Sequence, residues 1–229
     1  MTDFAVPVTT VARPPDLSLY LVTDAEMAAQ AGIPLPRLVA AAISGGVTTV
    51  QIREKHQPAG AFLRTVIEIG QVVPDEVTLL VNDRVDVFLA ARDLGAPVAG
   101  VHLGQRDLPA ASARDLIGPA AVLGLSAAHP DQLSAAATSS ARVDYVGIGV
   151  VRATVTKPDA PPPLGTEGMR ARAGLSPLPS VAIGGIAVAD AAALSGSALA
   201  GIAVVSGICA AADPAAAAAA YAKAWAGAS

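Results

Sequence analysis

The chain has 229 residues, 53% of them hydrophobic and only 15% charged, with a net charge of −4. That composition supplies one large core, and Lys and Arg too sparse and scattered to form a basic stripe exclude nucleic acid as the natural partner. The single cysteine, Cys209, excludes an internal disulfide framework, fits a reducing cytosol and so a cytoplasmic protein, and reads as a small core residue.

The segment Met1–Pro15 contains Asp3, Pro7, Pro14 and Pro15 and has no positive region ahead of its short apolar stretch. It reads as a loose tail and not a signal peptide, leaving residues 1–16 outside a single domain that spans 17–229. From there, short apolar or β-branched runs alternate with longer amphipathic ones. The expected strands are Leu17–Val22, Val47–Ile52, Thr78–Val81, Val98–Leu103, Val122–Leu125, Tyr145–Ile148, Ser180–Ile183 and Gly201–Val205. Between them, helices are expected at Pro36–Ile43, Ala59–Val73, Val85–Asp93, Pro130–Thr138 and Val188–Leu194. The alanine-rich end makes a final helix, Pro214–Trp225, whose Lys223, together with Asp213 and Pro214 ahead of it, breaks any run long enough to span a membrane.

Nearly all-apolar strands are those covered on both faces, as in a parallel sheet. Eight βα units without a linker favour an α/β fold, a single-domain (β/α)8 TIM barrel. A doubly wound open sheet is the alternative, although its glycine-rich dinucleotide turn is missing.

Polar residues gather where each strand ends: Thr23-Asp24, Gln51 to Lys55, Asn82-Asp83, Gly104 to Asp107, Ser126, Gly149 to Lys157, Gly184-Gly185 and Ser206-Gly207. In a barrel all of these share one rim, where loops from different strands assemble an active site. Within Gln51-Ile52-Arg53-Glu54-Lys55, strand alternation puts Gln51, Arg53 and Lys55 on one side and Ile52 and Glu54 on the other. Two cations and an amide at a strand end suit an anion, with the Arg53 fork matched to phosphate oxygens; solvated surface charge is the plainer alternative.

The loops Ile183-Gly184-Gly185-Ile186 and Val204-Val205-Ser206-Gly207-Ile208 follow the last two strands and enter helices, the place where barrels commonly hold phosphate on bare backbone N–H groups. Ordinary tight turns would look the same. Asp83 and Asp107 follow neighbouring strands. Each alone reads as a helix cap, whereas together, beside a cationic pocket, they match the one or two carboxylates that Mg²⁺ takes. The segment Gly149–Pro163 is the longest connection, with Thr154, Thr156 and Lys157 as hydroxyl and ammonium donors in a loop of lid length or in a plain proline-rich insert. His102 reads as a satisfied strand-end histidine, and His56 and His129 as exposed loop residues. No Ser/His/Asp order, Cys/His cluster or zinc spacing is present.

Taken together, Val50-Gln51-Ile52-Arg53-Glu54-Lys55, Val81-Asn82-Asp83-Arg84, Val101-His102-Leu103-Gly104-Gln105 with Asp107, Ser126, Thr154-Val155-Thr156-Lys157, Ile183-Gly184-Gly185-Ile186 and Val205-Ser206 resemble the thiamine phosphate synthase family, also called thiamine-phosphate pyrophosphorylase. The resemblance runs from about Leu19 to Cys209. It implies a cytoplasmic, Mg²⁺-dependent transferase that joins a pyrimidine diphosphate to a thiazole phosphate and releases pyrophosphate. It also implies that Gln51, Ile52, Arg53, Glu54, Lys55, Asn82, Ser126 and Lys157 hold the pyrimidine diphosphate, with Arg53, Lys55 and Lys157 catalytic. Thr154, Val155, Thr156, Gly185, Val205 and Ser206 would hold the thiazole phosphate, and Asp83 and Asp107 the metal. Small molecules are the implied partners, neither nucleic acid nor membrane, and a homo-oligomer is compatible with this. Two positions depart from the family, which usually has proline and then an aromatic where this chain has Val150 and Arg152. A thiazole tautomerase of the same fold and a non-catalytic phosphate-binding barrel are the competing readings; the tautomerase needs neither the carboxylate pair nor the Arg53, Lys55 and Lys157 cluster, and for the phosphate-binding barrel the altered Val150 and Arg152 would be early signs of decay.

Overall fold

Runs of Val, Leu and Ile pair into strands wherever both of their faces are covered, and eight such runs do so here. The computed structural model describes residues 14–154 and 162–227. Its strands are β1 (Leu19–Val22), β2 (Thr49–Ile52), β3 (Thr78–Asn82), β4 (Val98–Leu103), β5 (Val122–Ser126), β6 (Tyr145–Gly149), β7 (Ser180–Ile183) and β8 (Gly201–Val204). All pair in parallel in chain order, and β8 closes on β1 through Leu19↔Ile202, Tyr20↔Ala203 and Leu21↔Val204. The barrel is therefore shut, and the doubly wound alternative is set aside.

Strand alternation divides each run between two cores. Tyr20, Val22, Leu80, Val122, Tyr145, Val181 and Ala203 pack together inside the barrel. Their sequence neighbours, such as Leu19, Leu21, Val50, Ile52, Leu79 and Val146, face the helices in a second and larger core. The helices are α1 (Ala25–Gln30), α2 (Leu35–Ser44), α3 (Ala59–Gly70), α4 (Val85–Asp93), α5 (Ala110–Ile117), α6 (Pro130–Thr138), α7 (Gly165–Ala173), α8 (Val188–Leu194), α9 (Ser206–Cys209) and α10 (Pro214–Ala226). Among them, none is long and apolar enough to cross a membrane. Cys209 is buried, as its sequence context suggests.

Among the boundaries that differ from expectation are one helix end and two strand starts. The third helix stops at Gly70 instead of Val73, because Val73 precedes Pro74 and the proline ring disfavours helical backbone there. The first two strands begin at Leu19 and Thr49, two residues later than their apolar runs, although Leu17 and Val47 are buried. The N-terminal end of the barrel is fastened by Arg114, whose buried guanidinium donates to the carbonyls of Gly118, Ala121, Ala141 and Arg142 and to Asp144 Oδ2.

Candidate active site

The parallel arrangement sends the C-terminal end of every strand to one rim, and a cavity of about 430 Å³ opens there. Gln51, at the last turn of β2, is 5% exposed and projects into the barrel, where its Nε2 donates to Tyr20 Oη at 2.5 Å. Arg53 and Lys55 continue the same face of the strand and also line the cavity. Thr23 holds this strand end in place, its N–H donating to the Gln51 carbonyl at 2.9 Å and its Oγ1 accepting from Arg53 N–H at 3.0 Å. Strand alternation turns the side chains of Ile52 and Glu54, two members of the expected contact set, away from the cavity. Ile52 is fully buried in the outer core. Glu54 is half-buried behind the strand, and burial, reinforced by nearby Asp24, raises its pKa.

At the end of β3, Asn82 is buried and Asp83 takes a positive φ of 60°, a conformation that Asp and Asn tolerate better than most residues. The capping alternative fails for both acids. The N-cap of α4 is Arg84 and that of α5 is Pro109, and neither helix start receives a side-chain cap. Instead Asp107 Oδ2 accepts from Gly104 N–H at 2.7 Å, folding the β4–α5 turn back toward β3. Both acids line the cavity, with Asp107 close enough to act on the Asp83 carboxyl. Burial, and then the hydrogen bond and charge of Asp107, push the Asp83 carboxyl up to about 6. Two carboxylates side by side at a polar mouth form an all-oxygen donor pair that suits a hard divalent cation. Among the described residues no group of three or more His, Cys, Asp or Glu converges, and the carboxylates at this mouth number two. That number fits Mg²⁺, which completes its shell with water and phosphate oxygens.

Across the mouth, Gly184 (φ 96°) and Gly185 (φ 65°) form the turn after β7. A Cβ on Gly184 would lie 2.6 Å from that of Val150, and one on Gly185 would lie 2.9 Å from the Ala153 carbonyl. Only glycine lets the β6–α7 segment lie this close, and it does so with Val151 and Arg152 N–H groups bonded to the Gly184 carbonyl. Gly185, Thr154, Val205 and Ser206 line this side of the cavity. The helices that follow have seven and four residues, so the polar character of this edge comes from loop N–H groups and hydroxyls. Val155, Thr156 and Lys157 lie outside the described residues.

Ser126, at the end of β5, is the remaining cavity residue from the expected set, and it leads to groups that sequence inspection passed over. His102 Nε2 lies 3.1 Å from Ser126 Oγ and His102 Nδ1 lies 2.9 Å from Tyr145 Oη, which is 2.8 Å from Tyr20 Oη. Gln105 Nε2 donates to the Ser126 carbonyl at 2.5 Å. His102 is thus satisfied at a strand end as expected, but within a polar chain that crosses the barrel floor. Tyr20 and Tyr145 read in sequence as apolar strand residues. The available clue is their placement on inward strand positions, opposite Gly124, where any Cβ would overlap the Tyr145 ring.

Comparison with known proteins agrees with this geometry. Residues 19–208 match the family model described as thiamine monophosphate synthase. The chain is 43% identical over 200 residues to a thiamine-phosphate synthase of Vibrio campbellii, covering 87% of this chain and 93% of that one. It is 45% identical over 202 residues to one from Azorhizobium caulinodans, covering 88% and 91%. The thiamine phosphate pyrophosphorylase structure from Pyrococcus furiosus superposes with a TM-score of 0.79 at 30% identity, over 93% of this chain and 96% of that one. A 3-hexulose-6-phosphate synthase, at 17% identity and a TM-score of 0.64, shares the barrel alone. The chain belongs to the thiamine monophosphate synthase family.

Proposed function

We propose that this chain joins 4-amino-2-methyl-5-(diphosphooxymethyl)pyrimidine to 4-methyl-5-(2-phosphooxyethyl)thiazole, giving thiamine phosphate and pyrophosphate. The observation that carries the reading is the convergence of Arg53, Lys55, Asp83 and Asp107 on one cavity that Thr154, Gly185 and Ser206 line from the other side. A diphosphate needs cations and a divalent ion, and a monophosphate needs N–H and hydroxyl donors; both sets are at this mouth. The tautomerase alternative has no use for a carboxylate pair, and the named relatives favour the synthase.

In the reaction, the carbon–oxygen bond to diphosphate breaks and its electron pair leaves with pyrophosphate. The thiazole nitrogen lone pair then forms the new carbon–nitrogen bond, leaving a thiazolium. Arg53 and Lys55 line the cavity and, with Lys157 by family resemblance, would stabilise the charge that grows on the leaving group, the kind of preorganised stabilisation that supplies much of enzymatic rate. Asp83 and Asp107 would hold Mg²⁺, which would supply neutralisation of the diphosphate charge. Asn82, Gln51 and Ser126 position the pyrimidine. Thr154, Thr156, Gly185, Val205 and Ser206 hold the thiazole phosphate, so that the nitrogen meets the cationic carbon before water does. Neither half of the reaction requires a strong general base. Incubation with both substrates and Mg²⁺ tests the reading, the expected result being one pyrophosphate released per thiazole consumed.

A further inference from the structure

Five side chains from five strands form one continuous hydrogen-bonded chain across the barrel floor: Gln51, Tyr20, Tyr145, His102 and Ser126. Strands β1 and β6 are not neighbours in the barrel, so the Tyr20–Tyr145 bond spans the lumen and joins two halves of the site. Tyr20 and Tyr145 are 1% and 0% exposed. Each phenol has one proton to donate, and burial raises both pKa values far above neutrality, so neither ionises. Such a chain has only two self-consistent senses.

The sense follows from proton counting. Gln51 Nε2–H donates to Tyr20 Oη, which occupies Tyr20 as an acceptor and sends its own proton to Tyr145 Oη. Tyr145 then donates to His102 Nδ1, which must be unprotonated. The imidazole proton therefore sits on Nε2 and points at Ser126 Oγ. With its oxygen taken as an acceptor, Ser126 has its proton free for the cavity. At the other end, Gln51 has spent one of its two N–H groups inward and keeps Oε1 for the cavity. The opposite sense would spend Gln51 Oε1 on the Tyr20 proton and the Ser126 proton on His102, leaving the cavity neither the amide acceptor nor the hydroxyl donor.

We infer that Tyr20, Tyr145 and His102 are positioning residues that set the polarity of the pyrimidine pocket, an acceptor at Gln51 and a donor at Ser126, and thereby select a 4-aminopyrimidine over its 4-oxo analogue. This rests on the function proposed above. An aminopyrimidine presents an N–H donor beside a ring-nitrogen acceptor. The 4-oxo compound presents an acceptor beside an N–H donor, the mirror pattern. In a buried pocket a mismatched pair leaves polar groups without partners, which is the most effective way for a site to reject a near-isostere. Gly124 belongs to the device, since any side chain there would displace the Tyr145 ring.

The chain's sense is readable in the protein alone from the ¹⁵N chemical shifts of His102, one of three histidines, assigned by loss of its signals in His102→Gln. The expected result at neutral pH is protonated Nε2 and bare Nδ1; protonated Nδ1 or a doubly protonated ring overturns the inference. The second readout is the ratio of kcat/KM for pyrophosphate release from the 4-amino and 4-oxo pyrimidine diphosphates. Wild type is expected to favour the amino compound by about a thousand-fold. Tyr145→Phe, which cuts the chain while keeping the ring, should lower that ratio at least about tenfold and abolish the tautomer preference. An unchanged ratio in a folded Tyr145→Phe overturns the inference, and if that variant does not fold, the wild-type tautomer decides. Failure of wild type to release pyrophosphate from either compound counts against the proposed function, and the His102 signals still report the sense of the chain.

Discussion

Arg152 grips Asp190 with two parallel hydrogen bonds of 2.7 Å, Nε to Oδ2 and Nη2 to Oδ1. The carboxylate is 3% exposed and also accepts from Ala187 N–H at the start of α8. Arg152 is one of the two positions where the chain departs from its family's pattern, and the ion pair gives it a role. It ties the segment that carries Thr154 to the loop that carries Gly185, on the outside of the cavity. Replacing Arg152 with Ala should raise KM for the thiazole phosphate more than KM for the pyrimidine diphosphate, measured by steady-state titration of each substrate.

The same pair predicts a pH signature. The guanidinium beside Asp190 holds its carboxyl below the ordinary value of 3.8. A depressed folded-state pKa contributes stability that is present above 3.8 and fades as pH falls through the folded value. Asp190→Asn should therefore unfold at a lower temperature than wild type at pH 7, and the gap should close below about pH 4. A gap that persists at low pH would assign the effect to packing.

Asp83 carries the opposite sign. Its carboxyl rises from 3.8 to about 6 in the metal-free fold, so its stabilising contribution is complete below 3.8 and is lost as pH rises through about 6. Without Mg²⁺, wild type should gain thermal stability relative to Asp83→Asn on acidification between about pH 7 and 4. Asn accepts the positive φ, so the comparison isolates charge from strain. Asp83→Asn is also expected to lose activity and the Mg²⁺ dependence of what remains; activity that still titrates with Mg²⁺ would remove Asp83 from the metal site.

Arg53→Ala and Lys157→Ala should each lower turnover by about a hundred- to a thousand-fold, the loss typical of one transition-state donor. Near-normal rates in both variants would show that the leaving group is stabilised elsewhere.

Arg114 provides a control at the other end of the barrel. Its guanidinium donors serve four carbonyls and Asp144, and removing them leaves several buried acceptors without partners. Arg114→Ala should cost about 3 kcal/mol, or about 6–12 °C in Tm, with both KM values unchanged. A shift in either KM would imply that the N-terminal end of the barrel communicates with the mouth.

The strands and the rim were legible in sequence because burial on both faces demands near-continuous apolar runs, which end where polar residues begin. The run from Gln51 to Lys55 shows the limit. Its alternation correctly separates Gln51, Arg53 and Lys55 from Ile52 and Glu54, while family analogy groups all five. The Tyr20–Tyr145 bond was not legible, since the two residues are 125 positions apart and meet only once the barrel closes. The Asp190 partnership with Arg152 was hidden for the same reason, and Asp190 reads locally as a helix-start acid. Asp83 and Asp107 each read alone as a cap and together as a metal pair, and the N-caps of their helices prove to be Arg84 and Pro109.

The most direct measurement is pyrophosphate release with the pyrimidine diphosphate, the thiazole phosphate and Mg²⁺ supplied together. Equal yields of pyrophosphate and thiamine phosphate, both abolished by chelating the metal, are the predicted result. Pyrophosphate released at the same rate without the thiazole phosphate, or none released at all, would contradict the account.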